Sequence, residues 1–299
     1  MKRKTVLLAA LAAAALGVLA PGSRSRAEGE IRVLPTDLSG GAPYEATVKT
    51  NPEVYEDPTI RVEITTGDDR GRKYWIADIE IADASQLRTA SAEGFDTNGT
   101  EYGSVLAKRM NAVLAVDGDY YCYANYNPVH VTIRQGITYE NNLRTRKCQD
   151  VLLIDEDGDF HGVEDPVEGD VGTEINGKKI INSFYFGPLL VNNGEIRKNK
   201  APSHMDPEQY SQRVAICQTG HLKYRVIVSG PHKRGSKAFK FEPWREFVAS
   251  FDDIQVAYNL DGGDSAVLVF NNEKINDPEN TNERPLADIV YFASAWPGD

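Results

Sequence analysis

The sequence predicts an α+β fold, a single mixed domain with a central, largely antiparallel sheet and flanking helices. Short segments of alternating apolar and polar residues recur along the chain, as is typical of half-buried strands. Two segments have helical composition instead, at Gly103 to Met110 and at Trp244 to Phe251. Because strands and helices do not alternate regularly, the pattern disfavours a doubly wound parallel sheet.

The first predicted elements form a hairpin. Ile60 to Thr65 and Tyr74 to Ile81 alternate like strands and flank a polar turn from Gly67 to Gly71. Further strands are predicted at 112–116, 129–134, 151–154, 184–191, 214–218, 224–229, 254–260 and 266–270.

The amino terminus has the pattern of a secretory signal peptide. Three basic residues at positions 2–4 precede an apolar run from Val6 to Ala20, which is too short to span a bilayer. Cleavage is predicted after Ala20 or Ala27, with uncleaved anchoring as the alternative. We therefore expect a secreted or cell-surface protein with no membrane span after cleavage. The predicted division is 1–27 signal peptide, 28–59 amino-terminal extension and 60–299 main domain.

The acidic balance of the chain limits the classes of partner. A net charge of -11 argues against nucleic acid or an anionic membrane surface as the main partner. Three cysteines allow one disulfide, for which Cys122 and Cys148 are the better pair, while Cys217 lies in an apolar strand. Three free thiols are an equally good interpretation.

Polar residues separated by glycines follow the predicted strand that ends at Leu260. Glycines allow close approach of a ligand to the backbone, and the neighbouring side chains supply carboxylates and a hydroxyl. A hairpin turn is the competing interpretation. The strand ending at Val116 leads into a similar group of acids and glycine. The residues concerned are Asn259, Asp261, Gly262, Gly263, Asp264 and Ser265 in the first group, and Asp117, Gly118, Asp119, Tyr120 and Tyr121 in the second.

Six short motifs occur in a fixed order along the chain. They are Asp117-Gly118-Asp119-Tyr120-Tyr121, Ile133-Arg134-Gln135-Gly136, Phe186-Gly187-Pro188-Leu189-Leu190-Val191-Asn192-Asn193-Gly194, Arg213-Val214-Ala215-Ile216, Asn259-Leu260-Asp261-Gly262-Gly263 and Asn282-Glu283-Arg284-Pro285. In this order they resemble the phosphodiester glycosidase family over about residues 60–294, a family with many exported bacterial members. The resemblance implies hydrolysis of a sugar from a sugar-phosphate diester, with a glycan or sugar phosphate as substrate.

The chain departs from the family pattern at three positions. Asp117 stands where the family usually has Asn, Asp264 where it has a third Gly, and Cys217 where it commonly has Gly. Two added carboxylates would repel an anionic phosphodiester unless they are protonated, paired with arginine or bound to a cation.

Cleavage of a glycosidic bond typically uses two carboxyl groups, one as acid and one as base or nucleophile. We predict Asp119 and Asp261 for these roles because both directly follow apolar strands. Phosphate is a good leaving group, so its charge is expected to be neutralised by arginine. The candidates are Arg134, Arg213 and Arg284, each of which could equally form a structural salt bridge. Predicted substrate contacts are Asp117, Asn259, Gly262, Gly263, Asp264, Ser265 and Tyr121.

No cofactor is predicted. The alternative is a divalent cation such as calcium held by the four carboxylates Asp117, Asp119, Asp261 and Asp264. The acidic segment from Asp155 to Asp159 is predicted to be a hairpin turn rather than a calcium loop. His204 and His232 are predicted to be solvent exposed, with substrate contact from a loop as the alternative.

The sequence therefore predicts a secreted glycosidase acting on a sugar-1-phosphodiester or a related exopolysaccharide or cell-surface glycan linkage. A non-catalytic carbohydrate-binding protein on the same fold is the alternative, motivated by the departures at Asp117 and Asp264.

Overall fold

A computed structural model of the chain describes residues 32–43, 49–120, 131–141, 143, 150–202, 204–233, 236–278 and 282–297. Two α-helices occur among these residues, α1 (Gly103–Arg109) and α2 (Phe241–Ala249). The strands are β1 (Lys49–Asn51), β2 (Val54–Glu56), β3 (Ile60–Asp69), β4 (Arg72–Ile81), β5 (Leu87–Ser91), β6 (Glu101–Tyr102), β7 (Ala112–Asp117), β8 (Val131–Arg134), β9 (Ile137–Asn141), β10 (Val151–Asp155) and β11 (Phe160–Val163). They continue as β12 (Glu174–Ile175), β13 (Lys178–Phe184), β14 (Leu189–Asn192), β15 (Glu195–Ile196), β16 (Val214–Gly220), β17 (Lys223–Ser229), β18 (Val256–Leu260), β19 (Leu268–Phe270), β20 (Glu273–Lys274), β21 (Pro285–Leu286) and β22 (Asp288–Ala293).

The prediction of the α+β class is wrong, because the described part of the chain is mostly β. Its two α-helices are seven and nine residues long, so they cannot form a helical layer. The remaining apolar residues lie in short alternating segments, such as β3, or in short continuous runs rich in β-branched residues, such as β16, and both patterns are typical of strands. Several antiparallel sheets result instead of one central sheet flanked by helices.

The two largest sheets contain the strands that lead to the candidate site. The nine-stranded sheet has the order β1-β2-β3-β4-β17-β16-β18-β14-β15, and the five-stranded sheet has the order β20-β19-β7-β22-β5. A four-stranded sheet has the order β11-β10-β13-β12, and two small ribbons pair β21 with β6 and β8 with β9.

The main hydrophobic core lies between the nine-stranded and five-stranded sheets, and strand β16 shows how alternation builds it. Val214 and Ile216 contribute to this core together with residues of β7, β19 and β22. The intervening Ala215 and Cys217 belong to a second cluster on the opposite face of the sheet, which α2 covers with Trp244. A third cluster places α1 against the outer face of the five-stranded sheet. Each sheet is therefore apolar on both faces.

The hairpin predicted at the start of the domain is confirmed as β3 and β4, which pair in register from Ile60 with Ile81 to Asp69 with Arg72. The predicted continuous strand at 184–191 is wrong. It divides into β13, in the four-stranded sheet, and β14, in the nine-stranded sheet. Gly187 has a positive φ of 69°, and Pro188 has no N–H for a strand ladder, so the chain changes sheets at this point.

The described part of segment 28–59 packs against the rest of the chain. Strands β1 and β2 continue the nine-stranded sheet beyond β3, and Leu34 is buried. Within the described residues, no helix has the length and apolar character needed to cross a membrane. The predicted signal peptide lies outside the described residues, and so do Cys122 and Cys148.

Candidate functional site

The turn after β18 presents Asp261 at the end of a central strand. Gly263 has a φ of 58°, in the left-handed region that glycine adopts without a steric penalty. A Cβ atom on Gly262 would lie 2.5 Å from the carbonyl oxygen of Gln212 on the neighbouring chain segment. A side chain at either position would therefore force the turn away from this segment, and with it the carboxylate of Asp261.

A cavity of about 260 Å³ opens at this turn. Four consecutive residues of the predicted polar group, from Asp261 to Asp264, line the cavity together with two of the three predicted arginines. The lining residues are Phe186, His204, Met205, Asp206, Gln209, Ser211, Arg213, Leu260, Asp261, Gly262, Gly263, Asp264 and Arg284.

Both carboxylate oxygens of Asp261 are held in place. Its Oδ1 accepts a hydrogen bond of 2.7 Å from the backbone N–H of Gly262, and its Oδ2 accepts one of 2.7 Å from the hydroxyl of Ser265. The guanidinium of Arg284 lies 3.5 Å from Oδ2 and also donates to the Ser265 hydroxyl. Ser265 itself is buried and does not line the cavity. The carboxylate therefore has one fixed orientation beside a cation.

Arg213 forms a second cationic part of the cavity lining. Its Nη2 donates a hydrogen bond of 3.1 Å to the carbonyl oxygen of Gln209, and its guanidinium lies over the ring of Phe241. These contacts hold the side chain at the cavity. Arg213 directly precedes β16, the strand that pairs with β18. Two arginines and a carboxylate thus share one cavity.

Asp117 is the last residue of β7, is buried and does not line the cavity. Its Oδ1 accepts a hydrogen bond of 3.1 Å from the backbone N–H of Val267, whereas Oδ2 has no hydrogen-bond partner among the described residues. Burial, and then the negative charge of Asp261, raise the pKa of Asp117 well above its usual value. This shift favours the protonated, uncharged form of Asp117 and so reduces the negative charge expected from the sequence.

Asp119 and Arg134 form a different buried group. The Asp119 carboxylate accepts hydrogen bonds from the backbone N–H groups of Tyr185 and Phe186, at 2.9 and 2.5 Å. The Arg134 guanidinium is 3.4 Å from Asp119 and 2.9 Å from Asp288. Burial raises the pKa of Asp119 to about 6, against the opposing effect of Arg134. Neither Asp119 nor Arg134 lines the cavity at Asp261.

A family model described as phosphodiester glycosidase matches residues 110–293, a span that contains every candidate named above. The chain belongs to the phosphodiester glycosidase family. The family resemblance inferred from the six motifs is thereby confirmed. No curated protein matches the chain significantly.

Solved structures of low sequence identity share the fold of this phosphodiester glycosidase chain. One is the catalytic domain of zebrafish N-acetylglucosamine-1-phosphodiester alpha-N-acetylglucosaminidase, described as auto-inhibited by its pro-peptide. It is 18% identical with a TM-score of 0.60, and the match covers 85% of this chain and 86% of that chain. A hypothetical protein from Synechocystis is 12% identical with a TM-score of 0.52, over 81% of this chain and 64% of that chain.

Asn259 is placed in the protein interior rather than in the cavity of this family member. Its Oδ1 accepts a hydrogen bond from the indole of Trp244, and its Nδ2 donates to the carbonyl oxygens of Gly187 and Leu260. The side chain therefore links β18 to α2 and to the segment where the chain changes sheets. Tyr121, the remaining predicted contact, lies outside the described residues.

The four predicted cation ligands do not converge. Among the described residues, no group of three or more His, Cys, Asp or Glu side chains is arranged to hold a metal ion. In the acidic turn, Asp155 accepts hydrogen bonds from the backbone N–H groups of Asp157 and Asp159. The ammonium of Lys178 lies 2.7 Å from Asp157 and 3.7 Å from Asp155 and Asp159. Lys178, the first residue of β13, thus places a positive charge beside this acidic turn.

The apolar side of the cavity, formed by Phe186 and His204, was not predicted from the sequence. His204 is largely buried and packs edge-on against Phe186, with ring centroids 4.6 Å apart, and against Tyr120 at 5.4 Å. Burial lowers the pKa of His204 to about 4, so the imidazole is neutral at neutral pH. The expectation that His204 is solvent exposed is wrong. Phe186 was assigned to a continuous strand, and the glycine and proline that follow it were the available signal for a change of direction.

Proposed function

We propose that this protein is a secreted or cell-surface glycosidase that hydrolyses a sugar-1-phosphodiester or a related exopolysaccharide or cell-surface glycan linkage. The observation that carries the proposal is the shared cavity of Asp261, Arg213 and Arg284. One oriented carboxylate suits attack at a sugar carbon or activation of water, and two guanidinium groups suit a phosphodiester anion. Membership of the family supports a glycosidase-type activity.

In the proposed reaction, water cleaves the bond between the anomeric carbon and the phosphate oxygen. The phosphate monoester leaves with the bonding electron pair, the sugar gains the hydroxyl of water, and the remaining proton is released or transferred to a site carboxylate. Asp261 acts on the carbon side as nucleophile or general base. Arg213 and Arg284 stabilise the charge that develops on the leaving phosphate.

The second predicted carboxyl, Asp119, is bound by Arg134 and two backbone N–H groups and does not line the cavity. A phosphate leaving group has a low basicity and requires little protonation, so one oriented carboxylate with two arginines is chemically sufficient. Asp119 then has a positioning role. Its carboxylate holds the backbone of Tyr185 and Phe186, and Phe186 lines the cavity.

The test uses the protein without residues 1–27 and a panel of chromogenic sugar-phosphodiesters beside the corresponding simple glycosides. The panel includes the N-acetylglucosamine diester, because the zebrafish relative is named for that substrate. We expect hydrolysis of at least one diester and little or none of the matched glycosides, with kcat lowered by roughly 10² to 10⁴-fold in Asp261→Asn. Cleavage of simple glycosides alone would contradict a phosphodiester substrate.

The alternative is a non-catalytic carbohydrate-binding protein on the same fold. Asp264 favours it, because this residue lines the cavity and brings a carboxylate to a place where an anionic substrate would bind. Sugar binding without cleavage of any substrate would support this alternative. Restored cleavage in Asp264→Gly would identify the aspartate as the change that removed the activity.

A further inference from the structure

Met205 contacts one of the two arginines to which the proposed function assigns the phosphate. Its thioether sulfur accepts a hydrogen bond from the Nη1 atom of Arg213, and both side chains line the cavity at Asp261. A change in the chemistry of this sulfur therefore acts directly on Arg213. The role of Arg213 in binding phosphate is taken from the proposed function.

The two acceptors that hold the Arg213 guanidinium differ in strength. The Gln209 carbonyl oxygen accepts from Nη2 at 3.1 Å, whereas the sulfur of Met205 is a weak acceptor. An anionic phosphate oxygen forms a stronger, charge-assisted hydrogen bond with a guanidinium. Nη1 can therefore exchange its bond to Met205 for one to phosphate at little cost, while Nη2 keeps the side chain at the cavity.

Met205 is also the most accessible methionine among the described residues. The sequence contains three methionines, Met1, Met110 and Met205. Met1 belongs to the predicted signal peptide, and Met110 is buried in the cluster that α1 covers. Met205 is only partly buried, and it lies in the segment between β15 and β16 that contributes to the cavity lining. A small oxidant in the cavity therefore meets this side chain.

We propose that Met205 is a redox-sensitive modification site that controls phosphate binding at the cavity. A peroxide transfers one oxygen atom to the sulfur, so that an S–O bond forms and the O–O bond breaks. With hydrogen peroxide the other oxygen leaves as water, the thioether is oxidised to a sulfoxide and the peroxide is reduced. The sulfoxide oxygen is polar and a much better acceptor than the thioether sulfur. It holds the Nη1 atom of Arg213 and competes with the phosphate for it.

The modification is reversible and leaves Asp261 unchanged. Methionine sulfoxide reductases return the sulfoxide to the thioether at the expense of a thiol. Asp261 keeps its bonds to Gly262 and Ser265, which do not involve Met205. Oxidation is therefore expected to act on anion binding and not on the carboxylate.

The test measures binding of inorganic phosphate by isothermal titration calorimetry before and after treatment with hydrogen peroxide. Mass spectrometry of peptides locates the added oxygen. In the protein without residues 1–27, oxidation of Met205 should lower the phosphate affinity by about tenfold or more, as expected for loss of one charge-assisted hydrogen bond. Treatment with the reductases for both sulfoxide epimers should restore the affinity.

Three variants assign the effect to one sulfur. Met205→Leu has no oxidisable sulfur at this position but keeps every other oxidisable group, so its phosphate affinity should be the same before and after peroxide. Met205→Gln places an amide oxygen where the sulfoxide oxygen would be. Without peroxide, it should bind phosphate about as weakly as the oxidised natural protein. Met110→Leu, at a buried position, should respond to peroxide as the natural protein does.

The proposal is overturned if the natural protein binds no phosphate, if peroxide leaves Met205 unmodified, if the sulfoxide forms without a loss of affinity, or if Met205→Leu loses affinity equally. Hydrolysis of diesters is measured separately. Hydrolysis that complete oxidation of Met205 leaves unchanged would keep the proposed function and remove the redox site. Phosphate binding that oxidation weakens, without hydrolysis of any diester, would keep the redox site and remove the proposed function.

Discussion

The carboxyl group of Asp117, which does not line the cavity, is close enough to that of Asp261, which does, for the charge of Asp261 to affect it. Asp117 ends β7 of the five-stranded sheet, and Asp261 directly follows β18 of the nine-stranded sheet. The charge on Asp261 contributes to the raised pKa of Asp117, while Arg284 opposes it. The pair therefore consists of a buried carboxyl group with a raised pKa and a carboxylate held by Arg284 and Ser265. This relationship leads to the first two predictions.

Asp261→Asn should lower kcat on the preferred diester by roughly 10² to 10⁴-fold, the range expected for loss of a catalytic base. The amide keeps the size of the side chain but is a poor nucleophile and base. Steady-state kinetics of the folded variant provide the measurement. Asp206→Asn removes another carboxylate from the same cavity and serves as the control, with an expected change of only a few fold. Full activity in Asp261→Asn would show that the carboxylate is not required.

Asp117→Asn should stabilise the protein, and the gain should grow as the pH rises. The folded pKa of Asp117 is raised, so its contribution to stability is complete below its unfolded pKa and is lost as the pH rises through the folded pKa. Within that window, the free energy of unfolding of the natural protein should fall relative to the variant by about 1.4 kcal/mol per pH unit. Urea unfolding at a series of pH values checks this. A difference independent of pH would mean that Asp117 keeps an ordinary pKa.

Arg284→Gln should lower kcat/KM for diesters far more than it lowers the affinity for neutral sugars. Loss of a charge-assisted hydrogen bond costs about 1.5–3 kcal/mol, which corresponds to about a 10 to 100-fold decrease in kcat/KM. Binding of a neutral sugar should change much less, because no anion is involved. Arg61→Gln, at an exposed pair with Glu56, is the matched control. Equal losses for charged and neutral ligands would indicate a structural role for Arg284.

Arg134→Met should destabilise the fold by about 3–5 kcal/mol, because it leaves Asp119 and Asp288 buried without their cation. The free energy of unfolding in urea measures the loss. Arg61→Gln should cost about 1 kcal/mol or less, as for other surface pairs. A folded Arg134→Met variant of normal stability but with no activity would assign Arg134 to catalysis instead.

His204→Phe should change how stability depends on pH in the acid range. The folded pKa of His204 is lowered to about 4, so its stabilising contribution is present above its ordinary value near 6.5 and is lost as the pH falls toward 4. The phenylalanine variant has no such group and should lose less stability over this range. Thermal unfolding between pH 7 and pH 4 tests this, and parallel curves for the two proteins would refute it.

Local patterns predicted most of the strands because alternation is a property of a few consecutive residues. The β3–β4 hairpin and helix α1 follow the predicted segments closely. Helix α2 occupies Phe241–Ala249, close to the predicted segment, although it begins and ends earlier. The class assignment failed although both helices were predicted at about their true lengths, because two helices this short cannot form a layer against sheets of nine and five strands. The change of sheets at Gly187 and Pro188 was also missed, since an apolar run can belong to two strands.

The sequence by itself determined the family, through six ordered motifs, and placed Asp261, Gly262, Gly263 and Asp264 together at a strand end. Only the tertiary structure decided which distant residues join them. It brings Arg213 and Arg284 to the cavity and directs Arg134 to Asp119 and Asp288. Each of the three arginines lies in one of the six motifs, but their surroundings are set by strand pairing between distant segments. Burial and neighbouring charge, which also depend on that pairing, raise the pKa of Asp117.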